Sequence, residues 1–131
     1  MRLLLFYLFI IPFISLGQTQ LDMNLKSGQE WESVDYQMLI VYKTLLDLYS
    51  DDKSFIDNLK EDQKNWMELR SSNNELMYPG AKEDDYYGSS HRVCKNNFDA
   101  KITKQRIDFL MQWIVGSEEG EICNGTIKRL K

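Results

Sequence analysis

Histidine occurs once in this chain, at His91, and cysteine only twice, at Cys94 and Cys123. That scarcity excludes ordinary structural zinc sites, which draw four Cys or His ligands from close pairs such as C-x-x-C, and no metal or other cofactor is expected. Clustered positive charge is also missing. Sixteen basic side chains face twenty acidic ones, and only Lys128-Arg129-Leu130-Lys131 is dense in cations. Binding to phosphate backbones needs a basic stripe, so nucleic acid is not an expected partner. No G-x-S-x-G turn surrounds Ser89 or Ser90, and their adjacency to His91 is weak evidence for a nucleophile and its base, because triads are assembled by folding and seldom by succession. The acidic pairs Asp51-Asp52, Asp84-Asp85 and Glu118-Glu119 fall in expected loops and termini, and none completes the EF-hand spacing. They read as solvated charge. Asn124-Gly125-Thr126 fits the glycosylation acceptor pattern, for which a bacterial-type export signal gives little use. Internal repeats, low-complexity segments and strand patterns are absent, and the chain is not expected to be an enzyme.

What is present begins with Met1-Arg2 and an apolar run from Leu3 to Leu16, interrupted only by Pro12 and Ser15 and followed by polar Gln18-Thr19-Gln20. A charged start, a short apolar stretch and the small residues Ser15 and Gly17 make residues 1–17 a signal peptide. The run falls short of the roughly 20 apolar residues of a membrane-spanning helix, and no cysteine near the cut invites a lipid. Cleavage after Gly17 leaves 131 − 17 = 114 residues, 18–131, the size of one domain with no membrane span. Arg2 goes with the signal, which leaves 15 basic against 20 acidic side chains, a net charge of −5. An exported chain meets an oxidising environment, so Cys94 and Cys123 are expected to form one disulfide, worth about 3–4 kcal/mol in the chain-entropy model.

From about Asp22 to Tyr49, Trp31, Val34, Met38, Val41, Leu45 and Leu48 recur in steps of three and four, with Tyr42, Leu46 and Tyr49 widening the stripe. This spacing predicts a long amphipathic helix. Ser50-Asp51-Asp52 ends it and caps the next, whose stripe is Phe55, Ile56, Leu59, Trp66, Leu69 and Leu76, and which stops at Tyr78-Pro79-Gly80. The short connection implies an antiparallel hairpin. Between Pro79 and Asp99 the periodicity disappears, which predicts a long ordered loop with aromatic anchors, Tyr86 and Tyr87 among them. A third helix is expected from about Ala100 to Val115, with Ile102, Ile107 or Arg106, Phe109, Leu110 and Trp113 inward and Gly116 as its C-cap. The expected fold is all-α, a compact three-helix bundle with a long ordered loop and one disulfide.

On the second helix Gln63, Trp66 and Arg70 share a face. They form either a binding surface or, more in keeping with helical pairs in general, a set that flanks the core, bonds to neighbouring helices and stacks the Arg70 stem on Trp66. Thr103 and Arg106 on the third helix pose the same choice between holding a ligand and pairing with acids, and structure is the better reading there too.

The order of the export signal, Asp35-Tyr36-Gln37-Met38-Leu39-Ile40-Val41-Tyr42 with Leu45-Leu46, Leu59 through Arg70 with its Gln63-x-x-Trp66-x-x-x-Arg70 core, Tyr87-Gly88-Ser89 with Cys94, and Thr103-x-x-Arg106 with Leu110 resembles the LprI-like lysozyme-inhibitor domain. The resemblance covers nearly all of residues 18–131 and implies a small helical envelope domain stapled by disulfide, located in the periplasm or outside the cell. In part of the family it implies binding and blocking of lysozyme. Two positions depart from the family pattern: Leu39 stands where Asn is usual, and Asn73 and Asn74 stand where a Cys often follows the Gln-Trp-Arg stretch. A basic lysozyme is a suitable partner for a chain at −5, because steering raises its association rate. Tyr87, Ser89, Ser90, His91 and Arg92 are the side chains placed to enter a cleft whose chemistry rests on two carboxylates. The alternative is a structural or assembly accessory of the envelope that binds no lysozyme and is marked by an exposed apolar patch on its helices.

Overall fold

Apolar side chains at every third or fourth position run the length of the first helix. In the computed structural model, which describes residues 2–80 and 87–129 with side chains from Thr19 onward, this helix is α1, Arg2–Leu48, one continuous rod about 70 Å long at 1.5 Å per residue. Val34, Met38 and Leu45 on its stripe are buried, as is Tyr49 just beyond its end, while Leu48 is turned outward. The chain reverses in four residues. Asp52 accepts the Phe55 N–H at 2.9 Å and caps α2, Lys53–Met77. Tyr78, held out of helical geometry by the proline that follows it, ends α2 at φ −132°, and Gly80 turns away at φ 78°. The third helix is α3, His91–Val115, closed by Gly116 at φ 83°, whose N–H reaches the Gln112 carbonyl at 3.0 Å.

α1 and α3 lie side by side and parallel. Ser27 meets Asn96 at 3.1 Å, Glu30 meets Lys104 at 2.8 Å, and Tyr49 meets the Trp113 carbonyl at 3.2 Å. Small residues in the seam, Ser27, Gly28 and Ala100, let the two backbones approach, and a Cβ added at Gly28 would lie 3.8 Å from Asn96. α2 runs antiparallel to both and comes less close to either, because long side chains fill its interface. The core, Leu45, Tyr49, Phe55, Leu59 and Leu110, sits at the α1–α2 turn, where Tyr49 and Phe55 stack with ring centroids 4.0 Å apart. Three helices and, among the described residues, no strand beyond a lone Ser117–Arg129 bridge make an all-α bundle.

Three expectations are corrected. α3 begins nine residues earlier than its apolar pattern indicates, so His91 to Asp99 is helical and the long loop shrinks to residues 78–90, of which 81–86, Tyr86 included, lie outside the described residues. Val93, Asn96 and Asn97 are weak helix formers and hide the start; contacts to α1 hold it. The inward stripes also differ, since Leu69, Leu76 and Phe109 are exposed while Gln63 and Thr103 are buried; of the alternatives Ile107 and Arg106, Arg106 is the buried one. Finally, there is no disulfide. Cys94 and Cys123 are both free and exposed. Cys94 lies in the first turn of α3 and Cys123 beyond its far end, about 30 Å away along the helix, whereas a bridge needs Cα atoms within about 7 Å. Thermal unfolding is therefore expected to be the same with and without reductant, and C94S and C123S to shift stability by less than about 0.5 kcal/mol. A reductant-sensitive midpoint in the monomer would contradict the geometry.

Candidate functional site

The face of α2 that meets the other helices is apolar for two turns, at Phe55 and Leu59, and polar for the next four, at Gln63, Arg70 and Asn74. Spacings of three and four bring all of these residues to one side. Gln63 offers its carbonyl oxygen to Arg106, whose Nε and Nη2 donate at 3.1 and 3.0 Å, and directs its amide at the Met38 sulfur, 3.1 Å away. Arg106 Nη2 also pairs with Asp62 at 2.6 Å. Two guanidinium groups lie against Trp66, Arg70 at 4.9 Å and Arg106 at 5.6 Å from its ring centroid, and Arg70 also lies 5.1 Å from Trp31 and pairs with Asp35 at 2.8 Å. Farther along, Asn74 donates to Asp99 at 2.6 Å, and Asp99 pairs with Lys95 at 2.6 Å. Thr103 is fully buried beside this seam, with a hydroxyl that has no hydrogen-bond partner. The structure thus joins Gln63, Trp66, Arg70 and Arg106 in one polar seam between helices. Removing one member of a buried, bonded pair of this kind leaves the other uncompensated.

The other five candidates gather at the end of the bundle where α2 leaves and α3 enters. Tyr87 and His91 stack at 5.0 Å, and Tyr78 meets both edge-on, at 5.5 and 4.9 Å. Phe98, two turns further along α3 on the same face as His91, closes the cluster 6.1 Å from Tyr78. Tyr87 anchors the turn by donating its hydroxyl proton to the Pro79 carbonyl, and the Ser89 carbonyl accepts from Gln20 of α1 at 3.5 Å. Burial pushes the Tyr78 phenol above its ordinary pKa, with the Cys94 thiol, Asp99 carboxylate and Tyr87 phenol acting in the same direction. Ser89, Ser90 and Arg92 are exposed around this aromatic base. Ser90 occupies the N-cap of α3 and makes no side-chain cap bond. His91 and Arg92 stand on the first turn of a helix, not in a loop. His91 is half-buried, and its Nδ1 is buried without a partner. Tyr78 and Phe98, the anchors that hold this knob, are not apparent from the sequence, since one reads as a helix end and the other as loop.

The knob offers hydroxyls, a guanidinium and aromatic edges on a packed base. Among the described residues no three His, Cys, Asp or Glu side chains are placed to share a metal ion, and no helix is long and apolar enough to cross a membrane. A search of curated proteins and one of solved structures found no match. A family model described as lysozyme inhibitor LprI matches residues 15–110, a stretch that contains both the seam and the knob.

Proposed function

The chain belongs to the lysozyme inhibitor LprI family, and from that premise we propose that it is exported and binds and blocks a lysozyme without being an enzyme itself. Residues 1–17 serve as the export signal and the remainder acts in the periplasm or outside the cell. The observation that carries the reading is the family match across most of the chain, together with an excess of acidic side chains that suits a basic partner. Tyr87, Ser89, Ser90, His91 and Arg92 supply the contact. Their position at one end of a rigid bundle lets them enter a cleft without the helices rearranging, and a preformed contact loses less conformational freedom on binding.

A second reading, an envelope accessory that binds no lysozyme, draws on the apolar surface that α2 leaves uncovered. There Met67, Leu69, Leu76 and Met77 are each more than half exposed, and exposed apolar surface marks association sites. One experiment separates the two. Residues 18–131 are titrated into wall-lysis assays of several lysozyme classes at low and high salt. Saturable inhibition that weakens with salt is the expected result, and no effect on any class moves the accessory reading to the front. The paired change S90D/R92E is expected to weaken inhibition about tenfold, the scale of one good interface contact, with helical circular dichroism unchanged. Full inhibition by that variant would remove the knob from the contact.

A further inference from the structure

At the end of the bundle opposite the knob, the first half of α2 and the last half of α3 stand apart around an open cavity of about 300 Å³. Phe55, Leu59 and Leu110 form its buried floor, and Phe109 and Trp113, 5.2 Å apart and edge to face, form its wall. Asp52 and Asp62 stand on the rim with Asn58 between them. The far end is closed by Thr126 of the C-terminal segment, which is fastened in place. Its hydroxyl accepts from Trp113 Nε1 at 2.9 Å, Asn124 donates to Ser117 at 3.0 Å, and the Lys128 N–H reaches the Tyr49 hydroxyl at 3.1 Å.

From this arrangement we propose that the groove receives the cationic side chain of an arginine or lysine presented by a protein partner. Two carboxylates overlook it and no lysine or arginine lines it. Of the neighbouring cations, Lys53 is engaged with Asp57 and Lys128 with the Leu48 carbonyl and Asp51, whereas Arg106 pairs with the rim's own Asp62 and lies 5.4 Å from the Phe109 ring, so Asp52 and the second oxygen of Asp62 carry the rim's remaining negative charge. Arg106 takes one oxygen of Asp62, a residue whose side chain remains 55 % exposed. An aromatic wall beside carboxylates attracts a cation through the ring quadrupole and through charge together. The chain builds the same combination internally, where Arg70 lies against Trp31 and Trp66 and pairs with Asp35. This assignment goes beyond lysozyme inhibition and does not depend on it, because the groove and the knob occupy opposite ends of α2.

The test is a titration of the ¹⁵N-labelled full chain with tetra-arginine peptide, tetra-citrulline peptide (the same shape without charge) and tri-N-acetylglucosamine. The indole N–H resonances of Trp113, Trp31 and Trp66 are the readout. A saturable shift of the Trp113 indole alone, produced by the arginine peptide only, is expected. The variant D52N/D62N is expected to weaken it about tenfold, and D52N keeps the α2 cap because Asn caps as well as Asp. Since Asp62 holds Arg106 and Phe109 lies 5.4 Å from its guanidinium, D52N alone provides the second variant, which leaves the seam untouched and is expected to weaken binding about threefold. An equal response to citrulline, equal movement of all three indoles, a response to the sugar in place of the peptide, or undiminished binding by both variants would each overturn the proposal.

Discussion

Replacing Arg106 by alanine is expected to cost about 3–4 kcal/mol of folding stability, the scale for breaking a buried, hydrogen-bonded ion pair, out of the 5–15 kcal/mol typical of a domain. The side chain is 5 % exposed and holds two oxygens on α2, those of Asp62 and Gln63. It also lies against Trp66 and Phe109, at 5.6 and 5.4 Å from their ring centroids. Its removal leaves the buried Gln63 carbonyl without a donor, and an unmet buried acceptor costs about 1–3 kcal/mol by itself. Lysine at this position keeps the charge but cannot donate to both acceptors as the guanidinium fork does, so R106K is expected to recover about half of the loss. Urea unfolding of the three proteins provides the measurement. If R106A loses less than about 1 kcal/mol, α2 is held by its apolar end alone and the seam contributes little.

Truncation of Leu45 to alanine is the second large effect, expected at about 3–4 kcal/mol within the range for buried leucines. Leu45 has no exposed surface and packs with Tyr49, Phe55, Leu59 and Leu110, the cluster that joins all three helices at the α1–α2 turn. The companion change L76A supplies the contrast. Leu76 is 82 % exposed, so its truncation is expected to cost less than about 0.5 kcal/mol. Equal losses at the two positions in thermal or urea unfolding would mean that the outer face of α2 is covered in solution, by a second copy or another chain, and would favour the accessory reading.

The contrast between Leu45 and Leu76 also marks where sequence patterning succeeds. On α1 the buried positions Val34, Met38 and Leu45 are apolar, with Ser27 the exception, so helical periodicity finds most of the inward face directly. The turn at Ser50 to Asp52 and the stop at Pro79 are likewise legible, because capping oxygens and a missing N–H act locally. On α2 and α3 the rule inverts where the seam turns polar. Arg106 is buried because Asp62 and Gln63, more than forty residues away, satisfy it, and nothing in the local spacing reveals such partners. Phe109, Leu69 and Leu76 are then left outside. The same blindness hides the start of α3, whose first turns carry asparagines and small residues that face α1. The disulfide expectation rested on export and on the number of cysteines, with no knowledge of where the thiols lie. The knob is legible only in part. Its exposed residues are contiguous in the chain, whereas the aromatic base beneath them, Tyr78 and Phe98, exists only once α2 and α3 are brought together.

The parallel pairing of α1 with α3 governs the order in which the chain can gain stability. Contacts between these helices join residues 64 to 74 positions apart, as in Tyr49 with Trp113, Asn96 with Ser27 and Lys104 with Glu30, while the α1–α2 contacts are sparser and join residues 25 to 35 apart. The local hairpin of α1 and α2 brings Leu45, Tyr49, Phe55 and Leu59 together, while the closest helix pairing waits for the longest loop to close. Distant pairing of this kind slows folding relative to a bundle of nearest neighbours. Until the last helix arrives the chain holds at most its first hairpin, an order that suits the export proposed above.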